Sequence, residues 1–176
     1  AMSEACIIKM LGHRSLLFLL CTNTSASIAG YLACLNHGMV PVMLDSNLDF
    51  DLLQKLIRLY RPEYLWLPEK NAEDYPFYEE LLHMDGYVLL ATCEENPFPL
   101  HDDLALLMTT SGSTGSPKLV RLSYENILAN TKSIIEYLGI DEGERSITNL
   151  PMHYVYGLSI INTHLFAGAS LVVTDK

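Results

Sequence analysis

Positive charge is in short supply in this chain of 176 residues: 11 lysines and arginines stand against 21 aspartates and glutamates, for a formal net charge of -10. That balance repels nucleic acid and anionic membrane surfaces at long range, so neither is expected as a general partner. Cysteine is also scarce. The four present, Cys6, Cys21, Cys34 and Cys93, show no CxxC spacing and nothing marks one of them as activated. Three sit among apolar neighbours, and the set reads as reduced thiols of a cytoplasmic protein. No run approaches the roughly 18 uninterrupted apolar residues of a membrane span, and Leu16 to Leu20 follows His13 and Arg14 without a signal-peptide cleavage pattern. Internal repeats and low-complexity tracts are missing as well.

What is present is a globular composition, 49% hydrophobic and 18% charged, in a length that suits one domain with its own core. The acidic excess gathers between Glu69 and Asp103, where Lys70 is the lone cation, and reads as a solvated face. Short apolar runs alternate with segments of helical period. Leu16 to Leu20 reads as a buried strand, followed by a helix whose apolar face includes Ile28, Leu32 and Leu35 and which His37-Gly38 terminates. Val40 to Leu44, a helix over Leu48 to Tyr60, and Glu63 to Leu67 continue the alternation. A short helix around Phe77 to His83, a strand over Tyr87 to Ala91 and a proline-rich link at Asn96 to Pro99 come next. Ser123 caps a helix from Tyr124 to Leu138 that Gly139 ends; Ile147 to Leu150, a helix around Leu158 to Phe166, and Ser170 to Val173 form a last strand, helix, strand unit. The expected fold is α/β, a mostly parallel sheet flanked by helices.

Between two strand candidates, Leu104 to Met108 and Leu119 to Leu122, lies Thr109-Thr110-Ser111-Gly112-Ser113-Thr114-Gly115-Ser116-Pro117-Lys118. Gly112 and Gly115 let main-chain N–H groups turn toward an anion without a Cβ in the way. Ser111, Ser113 and Thr114 add hydroxyl donors, and Lys118 supplies a point charge for a phosphoryl oxygen. The stretch is not a P-loop: Pro117 stands where GxxxxGK[ST] needs its second Gly, Leu119 replaces the Mg-binding Ser or Thr, and a strand follows where a helix should begin.

The segment Thr110 to Lys118, TSGSTGSPK, resembles the phosphate-loop signature [ST]-S-G-[ST]-T-G-x-P-K of the adenylate-forming superfamily, which includes acyl-CoA synthetases, firefly-type luciferases and peptide-synthetase adenylation domains. The resemblance implies that Thr110, Ser111, Gly112, Ser113, Thr114, Gly115 and Lys118 hold the phosphates of ATP, with Mg2+ as its companion, and that Lys118 neutralises charge in the reaction. Tyr31 to Val42 is similar to the family's helix and strand upstream of the loop. Pro151-Met152-His153-Tyr154-Val155-Tyr156-Gly157 is similar to its P-x-x-H-x-x-G segment, whose His lies beside the substrate carboxylate; Tyr154 occupies that position and His153 sits one place earlier. Both are candidate catalytic residues on that basis.

The activity implied is an AMP-forming ligase. A carboxylate attacks the α-phosphorus of ATP, pyrophosphate leaves, and the acyl-adenylate passes its acyl group to a thiol such as coenzyme A. The family's later acidic motif, ribose-binding Asp and C-terminal Lys have no counterpart before Lys176. Residues 1–176 are accordingly expected to form a single partial domain, the N-terminal portion of the AMP-binding domain, inactive by itself. The alternatives are a non-catalytic nucleotide-binding or scaffold remnant of the same fold and an unrelated nucleotide hydrolase.

Overall fold

The computed structural model describes residues 14–109 and 118–174. Seven strands form the main sheet: β1 (Leu16–Cys21), β2 (Val40–Asp45), β3 (Tyr64–Pro68), β4 (Glu79–Met84), β5 (Tyr87–Ala91), β6 (Leu104–Thr109) and β7 (Leu119–Ser123), in the order β4-β5-β3-β1-β2-β6-β7. The centre, β3-β1-β2-β6, is parallel. Antiparallel strands extend it on both sides, β5 and β4 beyond β3 and β7 beyond β6.

β1 is buried along its whole length, and its unbroken apolar run is what a strand covered on both faces requires. Its side chains alternate between two cores. Leu17 and Leu19 join Tyr31, Cys34 and Trp66 on the side of α1 (Ser25–Asn36), whereas Leu16, Phe18 and Leu20 join Leu53, Leu56 and Ile57 of α2 (Phe50–Tyr60) on the other. Gly30 of α1 faces the indole of Trp66 so closely that a Cβ would lie 2.3 Å from its Nε1. The indole then donates to Ala26 O at 3.0 Å, pinning α1 to β3.

At the amino edge of the sheet, Arg14 holds three segments together. Its guanidinium donates to Gly38 O at 2.8 Å, to His101 O at 2.7 Å and to Leu104 O, so the chain ahead of β1, β2 and β6 shares one set of donors.

Two expectations are corrected. The segment around Phe77 to His83 is not a helix: Glu79–Met84 is an antiparallel edge strand joined to β5 by Asp85-Gly86. Both turn residues have positive φ, 48° and 74°, as the two-residue hairpin turn that matches strand twist demands. The strand expected over Ile147 to Leu150 lies earlier, as β8 (Arg145–Ile147). It pairs in parallel with β9 (Ser170–Val172) as a separate two-stranded sheet, with α5 (Val155–Phe166) as the crossover. A one-turn helix, α3 (Glu69–Ala72), follows β3. The helix after β7 forms as its caps predict: α4 (Tyr124–Leu138) starts on a reciprocal Ser123 and Asn126 capping box and stops at Gly139 in the left-handed conformation.

Candidate functional site

β1 and β2 run parallel and finish side by side, Cys21 opposite Asp45. Beyond their ends, the Thr22 to Thr24 turn, Ser46, Asn47, Lys70 of α3, Pro151 and His153 enclose an open cleft of about 420 Å³. The carboxyl edge is where open α/β sheets place their ligands, because strand ends and helix starts diverge there.

The turn is fixed by its own hydroxyls. Thr22 Oγ1 lies 2.7 Å from the Tyr87 hydroxyl and 2.9 Å from Thr24 Oγ1, while the Thr22 N–H is donated to Ser27 Oγ at 3.2 Å. Thr24 in turn accepts the Ser27 N–H and caps α1. Asn23 Nδ2 donates to Thr148 O at 2.5 Å, which ties the cleft to the segment after β8; its Oδ1 is buried without a hydrogen-bond partner among the described residues.

Pro151 to Gly157 supplies the opposite wall. The Tyr154 N–H is donated to Pro151 O at 3.1 Å, and Tyr154 O accepts the first helical N–H, from Leu158, at 3.0 Å. The two aromatic candidates on this reversal differ in exposure. Tyr154 is 54% exposed at the start of α5, whereas His153 is only 6% exposed and lines the cleft. His153 Nε2 lies 3.8 Å from Asp45 Oδ2, and the two rings, His153 and Tyr154, pack with centroids 4.3 Å apart. Burial holds the His153 imidazole below its ordinary range, and the Asp45 carboxylate pulls weakly the other way. Burial also pushes the Cys21 thiol well above its usual range, which makes it a poor nucleophile.

The phosphate-loop candidates Thr110, Ser111, Gly112, Ser113, Thr114 and Gly115 lie outside the described residues. Their flanks are inside. β6 runs parallel to β2, with Met43 opposite Met108, so Thr109 leaves the sheet at the carboxyl edge that carries the cleft. The chain returns through an exposed Lys118 into β7, Leu119 pairing with Thr109. Sequence reasoning picked out Lys118, His153 and Tyr154 but missed Asp45, Asn23 and Lys70. Their available signal was position: each follows an apolar strand run at its carboxyl end. Among the described residues, no group of three or more His, Cys, Asp or Glu side chains is placed to hold a metal ion, and no helix is long and apolar enough to cross a membrane.

A central, mostly parallel sheet with helices on both faces and an open polar cleft at its carboxyl edge defines an α/β protein. The chain belongs to the family described as AMP-binding enzyme, whose model matches residues 7–176. It is 40% identical over 77 residues, 43% of the chain and 14% of the relative, to the peroxisomal OPC-8:0-CoA ligase 1 of Arabidopsis thaliana. Among solved structures it is similar to apo MatB from Rhodopseudomonas palustris, with TM-score 0.79 and 22% identity, covering 98% of this chain and 38% of that one. It is also similar to the O-succinylbenzoate coenzyme A synthetase MenE of Bacillus subtilis in complex with ATP and magnesium ion, with TM-score 0.72, 21% identity, and 98% and 48% coverage. The chain thus spans less than half the length of these proteins.

Proposed function

We propose that residues 1–176 are the first part of the AMP-binding domain of an ATP-dependent acid–thiol ligase. The observation that carries this reading is the segment Thr110 to Lys118, joined to the sheet at the carboxyl edge beside the His153 cleft. The family membership and the naming of relatives as CoA ligases support it.

In this reading the loop and Lys118 grip the phosphates of ATP, and a small carboxylic acid lies toward Pro151 to Gly157. Carboxylate oxygen attacks the α-phosphorus, the bond to the β-phosphate bridge breaks, and pyrophosphate departs. The acyl-adenylate then yields its acyl group to a thiol, coenzyme A being the expected acceptor. Such a transfer needs positioning and charge neutralisation more than a protein nucleophile, which suits a site whose cysteine is buried and neutral. The hydroxyls, amide and ammonium of the residues lining the cleft, Thr22, Thr24, Ser46, Asn47 and Lys70, fit a ligand rich in hydrogen-bonding groups. Mg2+ is expected to arrive with the nucleotide; the described residues offer it no ligand cluster.

The test is pyrophosphate exchange with the full-length protein and a panel of carboxylic acids. Acid-dependent exchange is expected, with Lys118→Ala lowering it by about 100-fold, the usual effect of losing one charge-stabilising group. The 176 residues alone are expected to give none. Steady ATP hydrolysis without any acid would instead identify a nucleotide hydrolase, and failure of the full-length protein to bind ATP would leave a scaffold.

A further inference from the structure

The two walls of the cleft come from distant parts of the chain, yet they are fastened together beneath it. One wall is the Thr22 to Thr24 turn after β1; the other is Pro151 and His153, ahead of α5. Three side chains spaced four residues apart make the fastening: Asn23, just before the Thr24 cap, then Ser27 and Tyr31 on one face of α1. Asn23 Nδ2 donates to Thr148 O at 2.5 Å, Ser27 Oγ to Met152 Sδ at 3.1 Å and the Tyr31 hydroxyl to Asn162 Oδ1 at 3.0 Å. The chain from Thr148 into α5 is thus met at three successive points.

Ser27 is the central one. Its hydroxyl accepts the Thr22 N–H at 3.2 Å while it donates to Met152, so a single oxygen is bonded to both walls. Ser27 and Met152 are both 0% exposed, and neither lines the cleft. A thioether is a weak acceptor, and an apolar pair of the same shape would leave stability nearly unchanged. What the polar pair adds is a fixed place for Met152, and with it for the next residue, His153.

We infer that Ser27 is a positioning residue: by joining the Thr22 turn to Met152 it sets the separation of the cleft walls, and so the fit of the ligand between them. The naming of that ligand rests on the ligase reading, in which it is the carboxylic acid. The phosphates of ATP belong instead to the loop on the β6–β7 hairpin, which none of the three ties reaches.

The experiment uses the full-length protein with Ser27→Ala, Met152→Leu and the two combined. In acid-dependent pyrophosphate exchange, Ser27→Ala should raise the KM for the acid by roughly threefold to tenfold, the worth of one hydrogen bond, and leave the KM for ATP and kcat within about twofold. Met152→Leu keeps the volume but strands the hydroxyl, and should raise the same KM at least as much. The double variant should be no worse than Met152→Leu, because both changes remove one interaction. A merely structural role gives another pattern, since a less stable fold lowers the active fraction, and hence kcat, with both KM values unchanged. That pattern overturns the inference, as do equal rises in the two KM values, additive effects in the double variant, or no change at all.

Should no acid support exchange, the ligase reading fails, and amide hydrogen exchange still decides the inference. Ser27→Ala should speed exchange over residues 148–157 and leave α2, on the other face of the sheet, as in the wild type. Equal protection of that segment in the two proteins, or protection lost throughout the chain, overturns it.

Discussion

Gly157, in the first turn of α5, lies against the main chain of Pro151: a Cβ built on it would sit 2.3 Å from Pro151 O and 2.7 Å from Leu150 O. This contact folds the Pro151 to Gly157 segment back on itself and sends His153 into the cleft while Tyr154 stays outside. The glycine is required by backbone approach, since its φ is not in the left-handed region. Gly157→Ala should destabilise the protein by roughly 1–3 kcal/mol, the range for forcing an extra methyl into a packed site. Urea unfolding of the full-length protein measures it; a midpoint equal to wild type would mean that the segment relaxes freely.

A pH dependence follows from the burial of His153. Its folded-state proton affinity is lowered by desolvation from the ordinary value of 6.5, so the unfolded chain binds the proton more readily. The associated stability is complete above about pH 6.5 and is lost as pH falls through the lower folded value. Unfolding free energies of wild type and His153→Gln, compared between pH 7.5 and pH 5, should converge toward the acid side. A pH-independent difference would show that the imidazole is not desolvated.

Arg14 offers a prediction at the opposite edge. Arg14→Met removes the donors of Gly38 O, His101 O and Leu104 O together and should cost about 2 kcal/mol or more, since hydrogen bonds from charged donors are each worth roughly 1.5–3 kcal/mol. Arg14→Lys should recover only part, because an ammonium lacks the planar fork that spans separate carbonyls. Thermal unfolding of the two variants would reveal equal losses if the geometry of the fork were irrelevant.

The alternation from β1 to β3 was legible because buried parallel strands leave continuous apolar runs and the two helices carry clear starts and stops. The caps of α4 were readable residue by residue, from Ser123 to Gly139. β4 was not. Its residues Glu79 to Met84 are half-exposed at a sheet edge, so Leu81 and Leu82 fit a helical period as well as an alternating one; the decisive signal was Asp85-Gly86, a turn dipeptide. Within the site, the residue types of the loop and of His153 and Tyr154 stood out, but which aromatic turns inward depends on the Gly157 contact, a long-range fit of backbone to backbone. Asp45 stands where an apolar strand run ends, which marks the carboxyl edge, but its approach to His153 depends on a segment more than a hundred residues later.

The guanidinium of Arg14 has a consequence for how the sheet moves. By engaging carbonyls from three segments, it ties the amino ends of β1, β2 and β6 to one cation. At the carboxyl edge no such cation bridges the strand ends among the described residues, where Cys21 and Asp45 finish β1 and β2. Strand starts that share one guanidinium cannot slide past one another without breaking its bonds, so that end of the sheet moves as a single piece.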